Sequence, residues 1–479
     1  MPYGWLQRAA GTAPRKPALV AEGRTHTYDE LLRATCALAA LLREWGVEPG
    51  DRVATRMAST PEFAAAFCAL DAVGAAMLPL DPALKPNEVS SCCQRANVRL
   101  LLAGAVDGPV CRPVPPLDEL ARMSQAGPLP ERPEGEQGRY ALMLMSSGTT
   151  GRPKIVPRTR EQLHAERRAI NSRMTLRPGD RLFAGLPLFH TAGLFLTLLG
   201  SLEHGCTLYL APYSPRTAAE IIERERITVM HGAPFEYKAL AETRFERPPR
   251  FDSMRFATFG TALMPPEVVR VCRERLGLVL TPEYGSTEAG PSVMGLPLYG
   301  ELEPGWIGWP LGGVSIDILG PDGECLPPGR EGQLAICHPG AATGYLDDPE
   351  ATAATFRDGR VLTGDLGALT PEGGIRLAGR MKDMVSVGGK KVAPAEVEAV
   401  LREHPDVSEA LVLPGEGDAG QEIVTAYVET TAPLTPGAVR TFCGERLAAF
   451  KVPRRLAFVP KLPRSATGKV VRRVPPGCD

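Results

Sequence analysis

Apolar positions recur at helical spacing from residue 27 to residue 47, TYDELLRATCALAALLREWGV, directly behind a Thr-x-x-Glu pairing of Thr27 with Glu30. That pattern predicts an amphipathic helix opened by a capping box. Two short apolar runs follow, Asp51 to Met57 and Ala75 to Leu80, each closed by Gly, Pro or Asp, and Pro61 to Val73 between them reads as a helix. The same rhythm continues through Leu182 to Gly185, Thr207 to Leu210, Ile227 to His231 and Arg255 to Phe259. Strands that alternate with helices predict parallel sheets covered on both faces. From about Gly295 the strands shorten and Gly and Pro turns separate them, as in GVSIDILGPDGECLPPGREGQLAICHPG, which predicts a small antiparallel barrel or sheet. The run GRMKDMVSVGGKKVAPAEVEAVL then leads into a last block with its own βα pattern, while the proline-rich stretch from Gln125 to Gly138 reads as a surface connection. The expected fold is α/β, with a large N-terminal domain (residues 1–381) of αβ-layered sheets plus a small barrel-like subdomain. A small α+β C-terminal domain (382–479) completes it.

Composition narrows the partners more than the fold. A chain of 479 residues divides into two or three cores. With 44% hydrophobic residues, and 54 basic against 55 acidic side chains, nothing marks a duplex or an anionic membrane as a bulk partner, and small ligands fit better. The 11 cysteines are scattered, without CxxC or zinc spacing, which suits reduced thiols. No signal-peptide-like apolar region opens the chain and no membrane-length apolar run occurs, so the expected location is the cytoplasm.

Chemistry enters at SSGTTGRPK, Ser146 to Lys154, directly after the apolar run Ala141 to Met145. Its spacing is not that of a Walker A loop. Yet its glycines let backbone amides approach an anion, and Thr149, Thr150 and Lys154 add hydroxyls and charge suited to phosphate oxygens. Four further segments follow: EYGSTEAG at 283–290, TGDLG at 363–367, GRMKDMVSVGGKKVAPAEVE at 379–398 and PRSATGKVVRR at 463–473. In this order, and over essentially the whole chain, the five resemble the adenylate-forming enzymes, the superfamily of acyl-CoA and aryl-CoA synthetases, acyl-AMP ligases, peptide-synthetase adenylation domains and insect luciferases.

The resemblance implies a site residue by residue. Ser146, Ser147, Gly148, Thr149, Thr150, Gly151 and Lys154 would hold phosphates. Glu288 would be the magnesium ligand, Thr287 a phosphate contact and Tyr284 the ring stacked on adenine, next to Gly285. Gly260, Thr261 and Ala262 would border the adenine, although Thr261 stands where the family has glycine. Asp365 would accept from the ribose hydroxyls with Arg380 beside it. Lys469 would bridge the substrate carboxylate and the α-phosphate. Lys382 would be the hinge of a mobile C-terminal domain, and Gly388 and Gly389 would line a passage for a pantetheine thiol. Bland readings stand beside these: a solvated turn for SSGTTGRPK, a helix cap for Glu288, a structural turn for Asp365, a surface lysine for Lys469.

For the acyl pocket, LPLFHTAGLF matches the family's Pro-Leu-x-His element and places Phe189 and His190 near the substrate, with His190 in a catalytic position. His231, Gly232, Gly285, Ser286 and Met294 are the other expected neighbours, small or uncharged, and no carboxylate stands ready for an α-ammonium. The resemblance thus implies ATP, Mg²⁺ and coenzyme A acting on a hydrophobic aromatic or medium-chain monocarboxylic acid. The rival readings are a ligase that loads a carrier protein's phosphopantetheine, and a silent nucleotide-binding protein. No nucleic acid and no membrane insertion are expected of a monomer or homodimer.

Overall fold

The computed structural model describes residues 2–103, 111–123, 139–146, 154–296, 302–387, 390–417, 422–465 and 468–478. The chain forms two compact units. One comprises Met1–Leu302, Trp309–Ser315 and Ile336–Val361; the other comprises Glu303–Gly308, Ile316–Ala335 and Leu362–Asp479.

Local signals set the element ends of the first unit. The helix Tyr28–Glu44 opens on the expected box: Thr27 accepts from the Glu30 amide, and Glu30 accepts from the Thr27 amide at 2.7 Å. The helix Pro61–Val73 has proline at its start and stops at Gly74, whose φ of 84° is the left-handed conformation that glycine adopts without strain. Every residue of that helix but Glu62 is buried. A helix that is apolar on all sides belongs between layers.

The strands of this unit, in chain order, are β1 (Pro17–Ala21), β2 (Arg24–Thr27), β3 (Arg52–Arg56), β4 (Ala76–Leu80), β5 (Leu100–Ala103), β6 (Cys111–Arg112) and β7 (Leu142–Ser146). They continue with β8 (Lys154–Arg158), β9 (Arg181–Ala184), β10 (Thr207–Leu210), β11 (Val229–Gly232), β12 (Phe256–Phe259), β13 (Leu280–Ser286) and β14 (Gly290–Met294). One sheet runs β6-β5-β3-β4-β7-β8, parallel except for the β7/β8 hairpin. In the other, β14-β13-β12-β11-β9-β10-β1-β2, the pairings from β13 to β1 are parallel and the two outer ones antiparallel. Ligands of such sheets bind outside the carboxyl ends of the strands. Those ends carry His231, Phe259 and Tyr284.

The shorter strands expected after Gly295 are β15 (Trp306–Pro310), β16 (Ser315–Leu319), β17 (Gly332–Cys337), β18 (Phe356–Arg357), β19 (Arg360–Leu369) and β20 (Ile375–Arg380). In the second unit the order is β16-β17-β19-β20, with the first half of β15 on β20. The terminal block has a separate core around Val397, Leu401, Val412, Val424 and Val439. It is built from β21 (Val385–Val387), β22 (Lys390–Val392), β23 (Val407–Glu416), β24 (Glu422–Thr430), β25 (Arg455–Phe458) and the helices Pro394–Arg402 and Pro436–Gly444. Among the described residues no helix is long and apolar enough to cross a membrane.

Candidate active site

The β7/β8 hairpin closes on Ser146 paired with Lys154, so these two residues form the neck of the glycine-rich loop. Ser146 is buried. Ser147, Gly148, Thr149, Thr150 and Gly151 lie outside the described residues. Lys154 Nζ sits 4.5 Å from the centre of the Tyr345 ring, and the Tyr345 hydroxyl donates to Glu288 Oε1 at 2.8 Å. Lys154 and Glu288, 134 positions apart in the sequence, therefore meet through a tyrosine that the sequence reading missed. Its signal was slight, one aromatic residue in GAATGYLDDP.

Glu288 does not cap a helix. Thr287, Glu288 and Ala289 form the turn between β13 and β14, which pair antiparallel. The hairpin is tight because Gly285 has no side chain: a Cβ there would lie 2.3 Å from the Gly290 carbonyl oxygen. Three hydrogen bonds hold the turn: the Ala289 amide to Ser286 Oγ at 3.0 Å, the Ala342 amide to the Glu288 carbonyl at 2.9 Å, and Arg158 Nη2 to the Thr287 carbonyl at 2.7 Å. Arg158 also donates to the Gly340 carbonyl and pairs with Glu166 at 3.4 Å, both side chains fully buried. Gly290 and Gly340 make room for Glu166, since a Cβ at either would run into it. Removing one partner of such a pair leaves a buried charge uncompensated. No three His, Cys, Asp or Glu side chains cluster as ligands among the described residues. Magnesium commonly takes one or two carboxylates and completes its shell with phosphate oxygens and water, so a lone Glu288 beside the neck of the loop fits that ion.

Gly260, Thr261 and Ala262, expected at the adenine, follow β12. Thr261, which replaces a family glycine, keeps a left-handed backbone at φ 70°, and its hydroxyl is buried without a hydrogen-bond partner among the described residues. That conformation costs a β-branched residue about 1–2 kcal/mol. Tyr284 lies within β13 opposite Val293.

In the second unit, Asp365 lies within β19, directly across from Arg380 on β20. Arg380 Nε donates to Asp365 Oδ1 at 2.8 Å. Lys469 is fixed by its backbone: the Ser465 amide donates to the Lys469 carbonyl at 2.8 Å. Burial first, then the Arg380 guanidinium, pulls the Lys469 ammonium below the ordinary lysine range, and the carboxylate of Asp365 opposes them. The three residues expected at ribose and α-phosphate thus act on one another. Lys382 lies in the short 3₁₀ turn Met381–Asp383 after β20, and Gly388 and Gly389 are outside the described residues.

The segment 186–192, expected beside the acyl group, folds back on itself. His190 Nδ1 accepts from the Ala192 amide at 3.3 Å, and a Cβ on Gly193 would lie 2.1 Å from the Pro187 carbonyl oxygen. A π-helix, Gly193–Leu198, follows; such turns are frequent at functional sites. Phe189 and His190 are half-buried. His231 is fully buried, Gly232 ends β11, Ser286 ends β13 and Met294 ends β14. Two carboxyl groups stand close to these residues. Glu236 is buried, takes the Ala233 amide at 2.7 Å and lies against Gly185 and Gly232. Glu283, one residue before Tyr284, accepts from Thr258 at 3.2 Å.

Burial pushes the Glu236 carboxyl up from 4.5 to about 7, against the bond from Ala233. A carboxyl with a raised folded value favours the fold while protonated. Its contribution is complete below about pH 4.5 and is lost as pH rises through about 7. Glu236→Gln, which keeps the acceptor, should therefore flatten the fall in melting temperature between about pH 5 and 8; an unchanged slope would contradict the assignment.

Residues 6–346 match the family described as AMP-binding enzyme, and residues 396–469 its C-terminal domain. A 2-succinylbenzoate–CoA ligase of Geobacillus kaustophilus (strain HTA426) is 33% identical, over 98% of this chain and 96% of its own. A feruloyl-CoA synthase of an Amycolatopsis species is 30% identical, over 98% and 97%. The solved structure of the o-succinylbenzoate coenzyme A synthetase of Bacillus subtilis, in complex with ATP and magnesium ion, superposes with a TM-score of 0.87 at 28% identity, covering 98% of each chain. The chain belongs to the AMP-binding enzymes, the adenylate-forming family.

Proposed function

We propose that the protein is an ATP- and Mg²⁺-dependent carboxylate–CoA ligase acting on an aromatic or medium-chain monocarboxylic acid. The observation that carries this reading is the grouping of Asp365, Arg380 and Lys469, three residues that the motifs nominated separately. Asp365 accepts from the ribose hydroxyls and Arg380 fixes its carboxylate. A carboxyl oxygen of the acid attacks the α-phosphorus, the bond to pyrophosphate breaks, and Lys469 stabilises the charge that builds on the phosphoryl oxygens. No general base is needed, because the acid is already ionised near neutrality. Mg²⁺ held by Glu288 would neutralise phosphate charge. Thr287 contacts the phosphates, Tyr284 stacks on adenine, and His190 and Phe189 flank the acid.

In the second step the CoA thiol attacks the acyl carbon, the thioester forms and AMP leaves. The terminal block, turning about Lys382, would remove Lys469 from the reacting face and bring Gly388 and Gly389 to the thiol. Purified protein with ATP and a panel of acids should release AMP only when Mg²⁺, an acid and CoA are all present, with stoichiometric thioester. Release of ADP, or consumption of ATP without thioester, would refute the reading. Loading of a carrier protein with CoA inert would select the carrier-loading variant of the same chemistry.

A further inference from the structure

Three residues from three adjacent strands of the parallel sheet form a chain of hydrogen bonds at the carboxyl ends of those strands. His231 on β11 bonds through Nδ1 to Thr258 Oγ1 on β12, its partner in register, and the Thr258 hydroxyl donates to Glu283 Oε2 on β13 at 3.2 Å. His231 is 0% exposed and the Glu283 side chain 7% exposed. Burial, helped by the nearby Arg167 guanidinium, pushes the His231 imidazole down to about 3, so it is neutral. With Glu283 ionised and Thr258 donating to it, Nδ1–H of His231 is the donor to Thr258, and Nε2 is left as an acceptor. That Nε2 is buried and has no hydrogen-bond partner among the described residues.

Leucine or isoleucine would fill such sheet positions at no polar cost, and buried polar atoms are ordinarily paired. Space is reserved for this arrangement as well: Gly260 has no side chain, and a Cβ there would lie 2.7 Å from Glu283 Oε1. The chain lies beside Gly232 and next to Tyr284, and β11 packs on the π-helix that follows His190. These are the surroundings assigned above to the acyl group. Burial raises the Glu283 carboxyl to about 7, against the bond from Thr258, and a donor bound there favours its ionised form. That carboxylate and the unprotonated ring nitrogen are both acceptors, so the ligand group that satisfies them is a donor.

We propose that the acid bears a hydrogen-bond donor, a hydroxyl or an amino group, at the end remote from its carboxyl group, and that the His231–Thr258–Glu283 chain receives it. This rests on the ligase reading and replaces a wholly hydrophobic substrate by one with an apolar body and a polar tip. Glu283 and His231 are specificity residues under this assignment.

The test uses matched sets of benzoic, cinnamic and medium-chain acids carrying hydroxyl, amino, methyl or methoxy groups at each position. Thioester formation is measured as kcat/KM, and binding to the ATP-free protein is measured separately by calorimetry. At one position at least, the hydroxyl or amino acid should exceed its methyl analogue by about 100-fold or more, because a site built around a substrate hydroxyl leaves its own polar groups unpaired when that hydroxyl is missing. In Glu283→Leu the ratio should fall toward one, mainly through KM, and Glu283→Gln, which keeps an acceptor, should retain part of it. A wild-type preference for methyl or methoxy acids, or a Glu283→Leu loss equal for every acid, overturns the proposal. Should the leucine variant not fold, the wild-type ratios decide alone. Selective, Glu283-dependent binding of a hydroxy or amino acid that yields no thioester would sink the ligase reading and leave this assignment standing.

Discussion

Lys469→Ala is expected to lower acid-dependent exchange of pyrophosphate into ATP by about 10²–10³-fold, while a supplied acyl-adenylate is still converted with CoA into thioester. The two half-reactions separate because only the first brings two anions together. A carboxylate must approach the triphosphate, and a fixed cation lowers that barrier more than it stabilises the separated reactants. The backbone gives the cation its fixed place. Gly468, at φ 70°, and the bridge between Arg464 and Val470 hold the backbone on either side of Lys469, and none of these contacts uses the lysine side chain. The alanine variant should therefore fold with a melting temperature near that of the parent. Lys469→Arg keeps the charge but presents a planar fork instead of a compact ammonium, and partial activity is expected of it. Equal losses in both half-reactions, or exchange within about threefold of the parent, would remove Lys469 from the role given to it.

What was legible in the fold is local in sequence. The Thr27 capping box and the helix Pro61–Val73 each depend on residues a few positions apart, and the motifs nominated Lys154, Asp365 and Lys469 one by one. What escaped is what the sheets assemble. His231, Thr258 and Glu283 stand about 25 residues apart on successive strands, and only their register makes them neighbours. Buried charge escaped as well. In the helix Arg160–Asn171, REQLHAERRAIN, Arg160, Glu166 and Arg167 are all buried, each meeting a partner from a distant segment or, for Glu166, from the strand just before the helix. Periodicity sorts apolar from polar positions and has no means of foreseeing that a buried carboxylate will find an arginine. Thr261 is a third kind of case: the residue type argues against a left-handed backbone, and the surrounding fold imposes one.

The second large effect is expected of Glu288→Gln, with AMP formation down by about 10²-fold or more and only partly restored at high Mg²⁺ concentration. Glutamine keeps the size and one acceptor oxygen but removes the charge that a hard cation requires. Tyr345 supplies the control. Burial, reinforced by Glu288, raises the Tyr345 phenol far above its ordinary value, so it remains a neutral donor to Glu288 Oε1 at every working pH. Tyr345→Phe deletes that hydrogen bond and keeps the aromatic face beneath the Lys154 ammonium, which lies 4.5 Å from the ring centre. It should therefore raise the Mg²⁺ concentration for half-maximal rate several-fold with little change at saturation, whereas Glu288→Gln depresses the saturated rate itself. The two variants thus distinguish a residue that holds the ion from one that orients the holder. If Glu288→Gln left the saturated rate intact, Glu288 would be no more than the hydrogen-bond partner that fixes Tyr345 under Lys154, and the metal would have to be held elsewhere.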